Sequence, residues 1–271
     1  MTEKLDFRFD ERVSQRYDAL RGHPALVSLD IGAHLAHTAG EKATILELGV
    51  GTGRMAKPLA AAGCEVVGVD LSLDMLTAIR ADGGKGLYPV LGDIQKLPFS
   101  PGCFDAALCV HVLHLIPDWQ GVLQSMLHLV RPAGALMLGR DWVDPGSCAG
   151  ELRMQFRQAV VDLSDTVRSP ITARDIVQEL LTLGAIAINE GQEQIAAEWQ
   201  TELTPRQILD GIRSKDDQES WVLPDDLLGK VMQHLDSYAA ERWPDIDAPQ
   251  PVTRRFVYSL FRVANRPMTT Q

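Results

Sequence analysis

Three carboxylates, a run of glycines and two histidines are the residues of this chain whose types and spacing could do chemistry. The segment Glu47-Leu48-Gly49-Val50-Gly51-Thr52-Gly53 puts an acid two residues ahead of three alternating glycines. Glycines so spaced let the backbone turn tightly and let a ligand approach with no Cβ in the way. A helix starting after such a turn offers free N–H groups and the positive end of its dipole to an anionic group. Asp70 closes the next apolar run, EVVGV, and Gly92-Asp93 close the one after it, LYPVL. A single carboxylate at the Asp70 position suits the two hydroxyls of a ribose, and three acids ending three successive strands would share the carboxyl edge of one sheet, where doubly wound folds bind ligands. A fourth run, FDAALCV, is followed by His111-Val112-Leu113-His114. Histidine titrates near neutral pH, so His111 or His114 could take a proton from a hydroxyl, an amine or an acidic carbon. Either could instead pack in the core or shape a pocket.

The elements that must position these groups follow from periodicity. Continuous short apolar runs at 44–48, 65–69, 87–91, 104–110 and 135–139 predict strands covered on both faces. Helical patterns lie between them near 54–62, 72–81 and 119–130, with Asp118 placed to cap the last. Pro58 falls inside the first of these helices and predicts a kink there. Strand–helix alternation with short connections means a parallel sheet with right-handed crossovers. Before it, Val13, Tyr17 and Leu20 mark one helix face, Pro24 stops that helix, and a second helical stretch covers about 25–37. After Gly139 a helix is expected at about 149–164, another from Ser169-Pro170 to Gly184, a strand at 185–189, and a closing strand at 253–263. The polar stretch at about 191–250 is too long for a loop and reads as a helical insertion. The expected fold is therefore a doubly wound, Rossmann-like α/β sheet of seven strands, six parallel and the last antiparallel. It comprises an N-terminal helical lid (1–40), an α/β core (41–190), a helical insertion (191–250) and a final strand with a tail (251–271).

Composition narrows the partners. The chain has 271 residues, 45% of them apolar, enough for a sizeable core, and a formal net charge of −10. That balance argues against a nucleic-acid partner, whose phosphates need a basic face. No run approaches the roughly 18 apolar residues of a membrane span, and the charged opening MTEKLDFRFDERV has no apolar h-region of a secretory signal. Cys64, Cys103, Cys109 and Cys148 show no C-x-x-C spacing, so they read as reduced core thiols and no metal is expected. A cytoplasmic location follows.

The nucleotide can be narrowed too. A dinucleotide fingerprint, G-x-G-x-x-G, would need glycine at position 54, which is Arg54. The spacing G-x-G-x-G after an acid is instead similar to the donor-binding motif of class I methyltransferases, which use S-adenosylmethionine (SAM). The resemblance runs from Thr44 to about Gly139, and the 253–263 strand matches the family's final antiparallel strand. The segments ELGVGTGR, VVGVDLS, GDIQKLPF and VHVLHLIPDW resemble the small-molecule branch that includes quinone biosynthesis, beside bacterial members without assigned substrates. This resemblance implies that Glu47, Gly49, Gly51 and Gly53 surround the donor's methionine moiety. It implies that Asp70 binds the ribose, with Leu71 against the adenine, Asp93 accepting from the adenine amine and the Ile94 backbone facing the ring. Tyr17 and Arg21 lie in the N-terminal helix, which in relatives often folds over the donor. No Asn/Asp-Pro-Pro-Tyr sequence follows the fourth strand, against methylation of nucleic-acid bases or of a glutamine side chain. Arg140, Asp141 and Trp142, after the fifth strand, are further pocket candidates. The expected activity is methyl transfer from SAM to a small-molecule acceptor. The rival readings are a non-catalytic SAM-binding or sensor protein and an NAD-dependent oxidoreductase.

Overall fold

A computed structural model describes residues 22–81, 84–164, 171–216, 218–221 and 223–265. Helix α1 (Ala25–Ala39) buries Ile31, Leu35 and Ala39 with Gly32 and Ala36 beside them, the spacing of one helix face. Gly40, at φ 113°, ends it and donates its N–H to the Ala36 carbonyl. The expected strands then appear as β1 (Thr44–Leu48), β2 (Glu65–Asp70), β3 (Leu87–Leu91), β4 (Phe104–Val110) and β5 (Val130–Val143). Between them run α2 (Ala56–Ala61), α3 (Leu73–Ala81) and α4 (Trp119–Leu129). The pairs β1–β2, β1–β4, β2–β3 and β4–β5 are all parallel. Asp118 caps α4 as expected, its side chain accepting from the Gly121 N–H. That helix lays Val122, Leu123, Met126 and Leu127 on one face of the sheet, against Leu46, Leu48, Cys109 and Leu136.

Pro58 does not kink α2. The helix begins only at Ala56, so Pro58 sits in its first turn, where no intrahelical N–H bond is lost. The same proline receives α1: a Cβ on Gly32 would lie 2.6 Å from the Pro58 carbonyl carbon. Only glycine lets the two helices approach that closely.

Beyond β5 follow α5 (Cys148–Leu163), α6 (Ala173–Thr182), β6 (Ile186–Ala187), β7 (Gln194–Leu203), α7 (Pro205–Arg213), α8 (Asp225–Arg242) and β8 (Gln250–Arg262). The described residues thus form an eight-stranded sheet in the order β3-β2-β1-β4-β5-β8-β6, with β7 also pairing β8. The last strand runs antiparallel to β6, as expected. The extra strand is the correction: β7 lies in the stretch read from sequence as helical. Its burial alternates along the chain, the two-residue period of a strand. Conversely, β6 keeps only two residues of the expected 185–189 run, because Asn189 (φ 51°) and Glu190 (φ 57°) turn the chain out of extended geometry.

Two compact units divide the described residues, one holding 22–140, 171–197 and 256–265, the other 141–164 and 198–255 apart from the residues outside the description. The division falls inside β5, β7 and β8. The second unit has its own apolar core, where Leu152 and Phe156 of α5 cluster with Leu209 of α7 and Val231 and Leu235 of α8. Arg242 forks onto Glu151 there at 2.8 and 3.0 Å. Cys64, Cys109 and Cys148 are buried, but Cys103 is exposed just before β4 and is no core thiol. No described helix is long and apolar enough to cross a membrane.

Candidate donor and acceptor site

Parallel pairing in the order β3-β2-β1-β4 lines up four strand ends along one edge. In that order the edge carries Asp93, Asp70, Glu47 and His111, the row expected from the sequence. The backbone between β1 and α2 is pinned to its neighbour: the Gly49 and Val50 N–H groups both donate to the Val69 carbonyl, at 2.9 and 3.1 Å. Gly49, Gly51 and Gly53 all hold positive φ, 69°, 55° and 83°. They do so for different reasons. A Cβ on Gly49 would strike Val112 at 2.7 Å, so this glycine lets the loop after β4 close over the first loop. Gly51 faces open space, with nothing within 4 Å of where a Cβ would be. A ligand can approach the backbone there.

Asp70 orients this open turn. One carboxylate oxygen accepts the Gly51 N–H at 2.9 Å and the other accepts the Ser72 N–H at 2.9 Å. Each oxygen keeps further acceptor capacity for a ligand hydroxyl. Leu71, beside it, is 66% exposed, an apolar side chain offered to solvent at the site. Asp93 accepts from the Gln95 backbone N–H at 2.9 Å, which fixes the turn after β3, while Ile94 is buried beneath.

Glu47 is the anomaly of the site. Its side chain is buried, and its Oε2 has no hydrogen-bond partner. Burial pushes its carboxyl up to about 8, with nearby Asp70 adding to the rise and Arg54 opposing it. A buried carboxyl without a partner is unfavourable unless a donor or a cation meets it. SAM fits this arrangement: its methionine portion carries an ammonium for Glu47, its ribose has hydroxyls for Asp70, and its adenine has an apolar face for Leu71.

His111 directly follows β4 and holds φ 53°, a left-handed conformation that is uncommon outside glycine but tolerated by histidine. His114 lies in the 3₁₀ turn Leu113–Leu115 and is exposed at its outer surface. Both histidines line a cavity of about 190 Å³ that also meets Cys109, Leu138 and Arg140. None of the donor-loop residues lines it. Its far wall is α6, through Ala173, Ile176 and Val177, and it ends on Glu193. Arg140, a sequence candidate, forks onto Glu193 with both contacts at 2.6 Å. Glu193 had no signal in the sequence, since it sits in a polar stretch and meets Arg140 only through the fold. Trp142 is engaged elsewhere, with the Arg255 guanidinium 4.5 Å above its ring. Tyr17 and Arg21 lie outside the described residues.

Comparison with known proteins adds a domain match. Residues 46–138 match a methyltransferase domain model. The chain is 35% identical over 98 residues to the demethylmenaquinone methyltransferase of Paenarthrobacter aurescens strain TC1, covering 35% of this chain and 37% of that protein. It is 30% identical over 100 residues to the ubiquinone biosynthesis O-methyltransferase of Xylella fastidiosa strain 9a5c, covering 35% of this chain and 41% of the relative. The matches thus span about two fifths of these relatives' own length. Among solved structures, Haemonchus contortus phosphoethanolamine N-methyltransferase 2 in complex with S-adenosyl-L-methionine aligns with a TM-score of 0.54 at 17% identity, over 96% of this chain and 59% of that one. That likeness establishes the fold.

Proposed function

We propose that this chain, whose residues 46–138 match a methyltransferase domain model, is a class I methyltransferase that transfers the methyl group of SAM to a small organic acceptor. The observation that carries this reading is the buried Glu47 carboxyl, whose Oε2 has no hydrogen-bond partner, beside the open turn at Gly51. When bound, SAM supplies an electrophilic methyl already activated by its sulfonium. The protein's work is to bind, orient and exclude water. Glu47 holds the donor's ammonium and is drawn toward its ionised form as it does so. Gly51 lets the methionine portion lie against backbone, and Asp70, already fixed by two N–H groups, takes the ribose hydroxyls. Leu71 and the Ile94 backbone bracket the adenine, and Asp93 accepts from its amine.

His111 stands at the same strand edge and also lines the cavity, so it connects donor and acceptor. It accepts a proton from the acceptor where the nucleophile arrives protonated, and His114 supports it from one turn further on. The acceptors of the two quinone-biosynthesis relatives support a small molecule rather than a nucleic acid, as does the net charge of −10. Free thiols support a reducing, cytoplasmic setting.

Incubation with methyl-labelled SAM and a panel of small phenols, amines and carboxylic acids tests this reading. Methylated product and stoichiometric S-adenosylhomocysteine are expected with at least one class. His111→Ala should then lower turnover about 10²–10⁴-fold with donor affinity nearly constant. Donor binding with no turnover across every class would instead favour a non-catalytic SAM sensor. A fall in donor affinity with normal saturated turnover would make His111 a pocket residue.

A further inference from the structure

We infer that the cavity beside His111 takes an uncharged, single-ring acceptor, and that the Arg140–Glu193 pair is what excludes anionic ones. This rests on the reading of the cavity as the acceptor's place and adds the acceptor's charge and size. Size comes first. At about 190 Å³ the cavity is smaller than the roughly 300–1,000 Å³ of most small-molecule sites. An apolar cavity of about 150 Å³ is known to hold a benzene, so this one has room for one ring and a short substituent. Its walls suit such a ring: Val112, Leu113 and Leu138 on the sheet side, Ile176 and Val177 on α6.

Charge is decided by Arg140. A lone arginine on the wall would select a carboxylate or phosphate, because its planar fork matches two oxygens. Here the Nε/Nη2 side of that fork is taken by Glu193. Nε meets one Glu193 oxygen and Nη2 the other, each at 2.6 Å. The guanidinium is neutralised within the protein, and neither group is fully buried, with side-chain exposures of 40% and 31%. An anionic ligand would have either to displace Glu193 or to bring a second negative charge next to it on the Nη1 side of an already neutralised guanidinium. A neutral hydroxyl on a ring meets no such opposition. The pair therefore acts against charged analogues, a repulsive element of specificity rather than an attractive one. Arg140 and Glu193 set which charge is admitted; they are not catalytic residues.

Benzyl alcohol and benzoate share one ring and differ in charge, so they are the probes. Each is titrated into the full chain, with and without S-adenosylhomocysteine, and followed by ligand-observed NMR. The intact protein should bind benzyl alcohol at least about tenfold more tightly than benzoate. Glu193→Gln should free Arg140 and raise benzoate affinity about tenfold or more, leaving benzyl alcohol little changed. The double variant R140Q/E193Q, which lacks the freed cation, should lose that gain. Equal binding of both probes by the intact protein, or an unchanged ratio in Glu193→Gln, overturns the inference. So does binding of neither probe. Because the ratio is also read without S-adenosylhomocysteine, a chain that binds the probes as expected but not that nucleoside would sink the donor reading and leave the charge selectivity standing.

Discussion

Glu47 shows how one side chain can report on a site before any ligand is added. Its carboxyl stands at about 8 because burial disfavours the charge, against an ordinary value of 4.5. Below about pH 4.5 folded and unfolded chains both carry the proton. Between the two values the folded chain keeps a proton that the unfolded chain releases, so stability falls as pH rises. The slope is about 1.4 kcal/mol per pH unit while the difference is one full proton. Above about 8 both forms are ionised and this loss levels off. Glu47→Gln keeps the shape and removes the ionisation, so its chemical-denaturation stability should decline much less than that of the unaltered chain between about pH 5 and 8. Equal slopes in the two proteins would show that Glu47 is already ionised in the folded state. The acid and its neighbours Gly49, Gly51, Gly53, Asp70 and Asp93 were readable from spacing, because a short loop fixes them to adjacent strand ends. Glu193 was not. Its partner Arg140 is 53 positions away in sequence, and no local pattern encodes a pairing made by the fold.

Two glycines in helices make opposite predictions from packing. Gly32 in α1 has Pro58 backbone 2.6 Å from where its Cβ would be. Gly32→Ala must push α1 off α2, and overpacking of this kind typically costs about 1–3 kcal/mol. For a chain of this length that lowers the melting temperature by several degrees. Gly211 in α7 has nothing within 4 Å of its Cβ position, so Gly211→Ala should instead gain about 0.5–1 kcal/mol from helix propensity. Thermal melts of both variants check the pair; a harmless Gly32→Ala would refute the close α1–α2 approach. Elements with a strong, uninterrupted period were legible, such as TILEL in β1 and FDAALCV in β4, since a strand buried on both faces leaves no other pattern. β7 was missed because its sequence, QIAAEWQTEL, mixes good helix formers with an alternation that only pairing to β8 makes decisive. Pro58 misled for the converse reason. Sequence placed the helix start two residues early, and a proline that breaks a helix interior is at home in a first turn.

The described residues hold a row of strand ends, most of it within the residues that the methyltransferase domain model matches, and a second helical unit with its own core. The first was legible because its chemistry lies in short loops after consecutive strands. Of the second, the helix at about 149–164 and the helical stretch within 191–250 were legible one by one, but not their common core, because 141–164 and 198–255 come together only through long-range contacts between α5, α7 and α8. The fold itself hosts many chemistries, so activity has to be argued from the site. The proposed chemistry of that site depends on its ligand being SAM and not a dinucleotide. Calorimetric titration of the full chain with SAM, S-adenosylhomocysteine and NAD, repeated on Asp70→Ala, tests this most directly. The account predicts binding of the first two and none of NAD, with SAM affinity in the variant weaker by about 1.5–3 kcal/mol from lost charge-assisted hydrogen bonds. Tight NAD binding without any response to SAM, or SAM affinity untouched by the loss of Asp70, would contradict it.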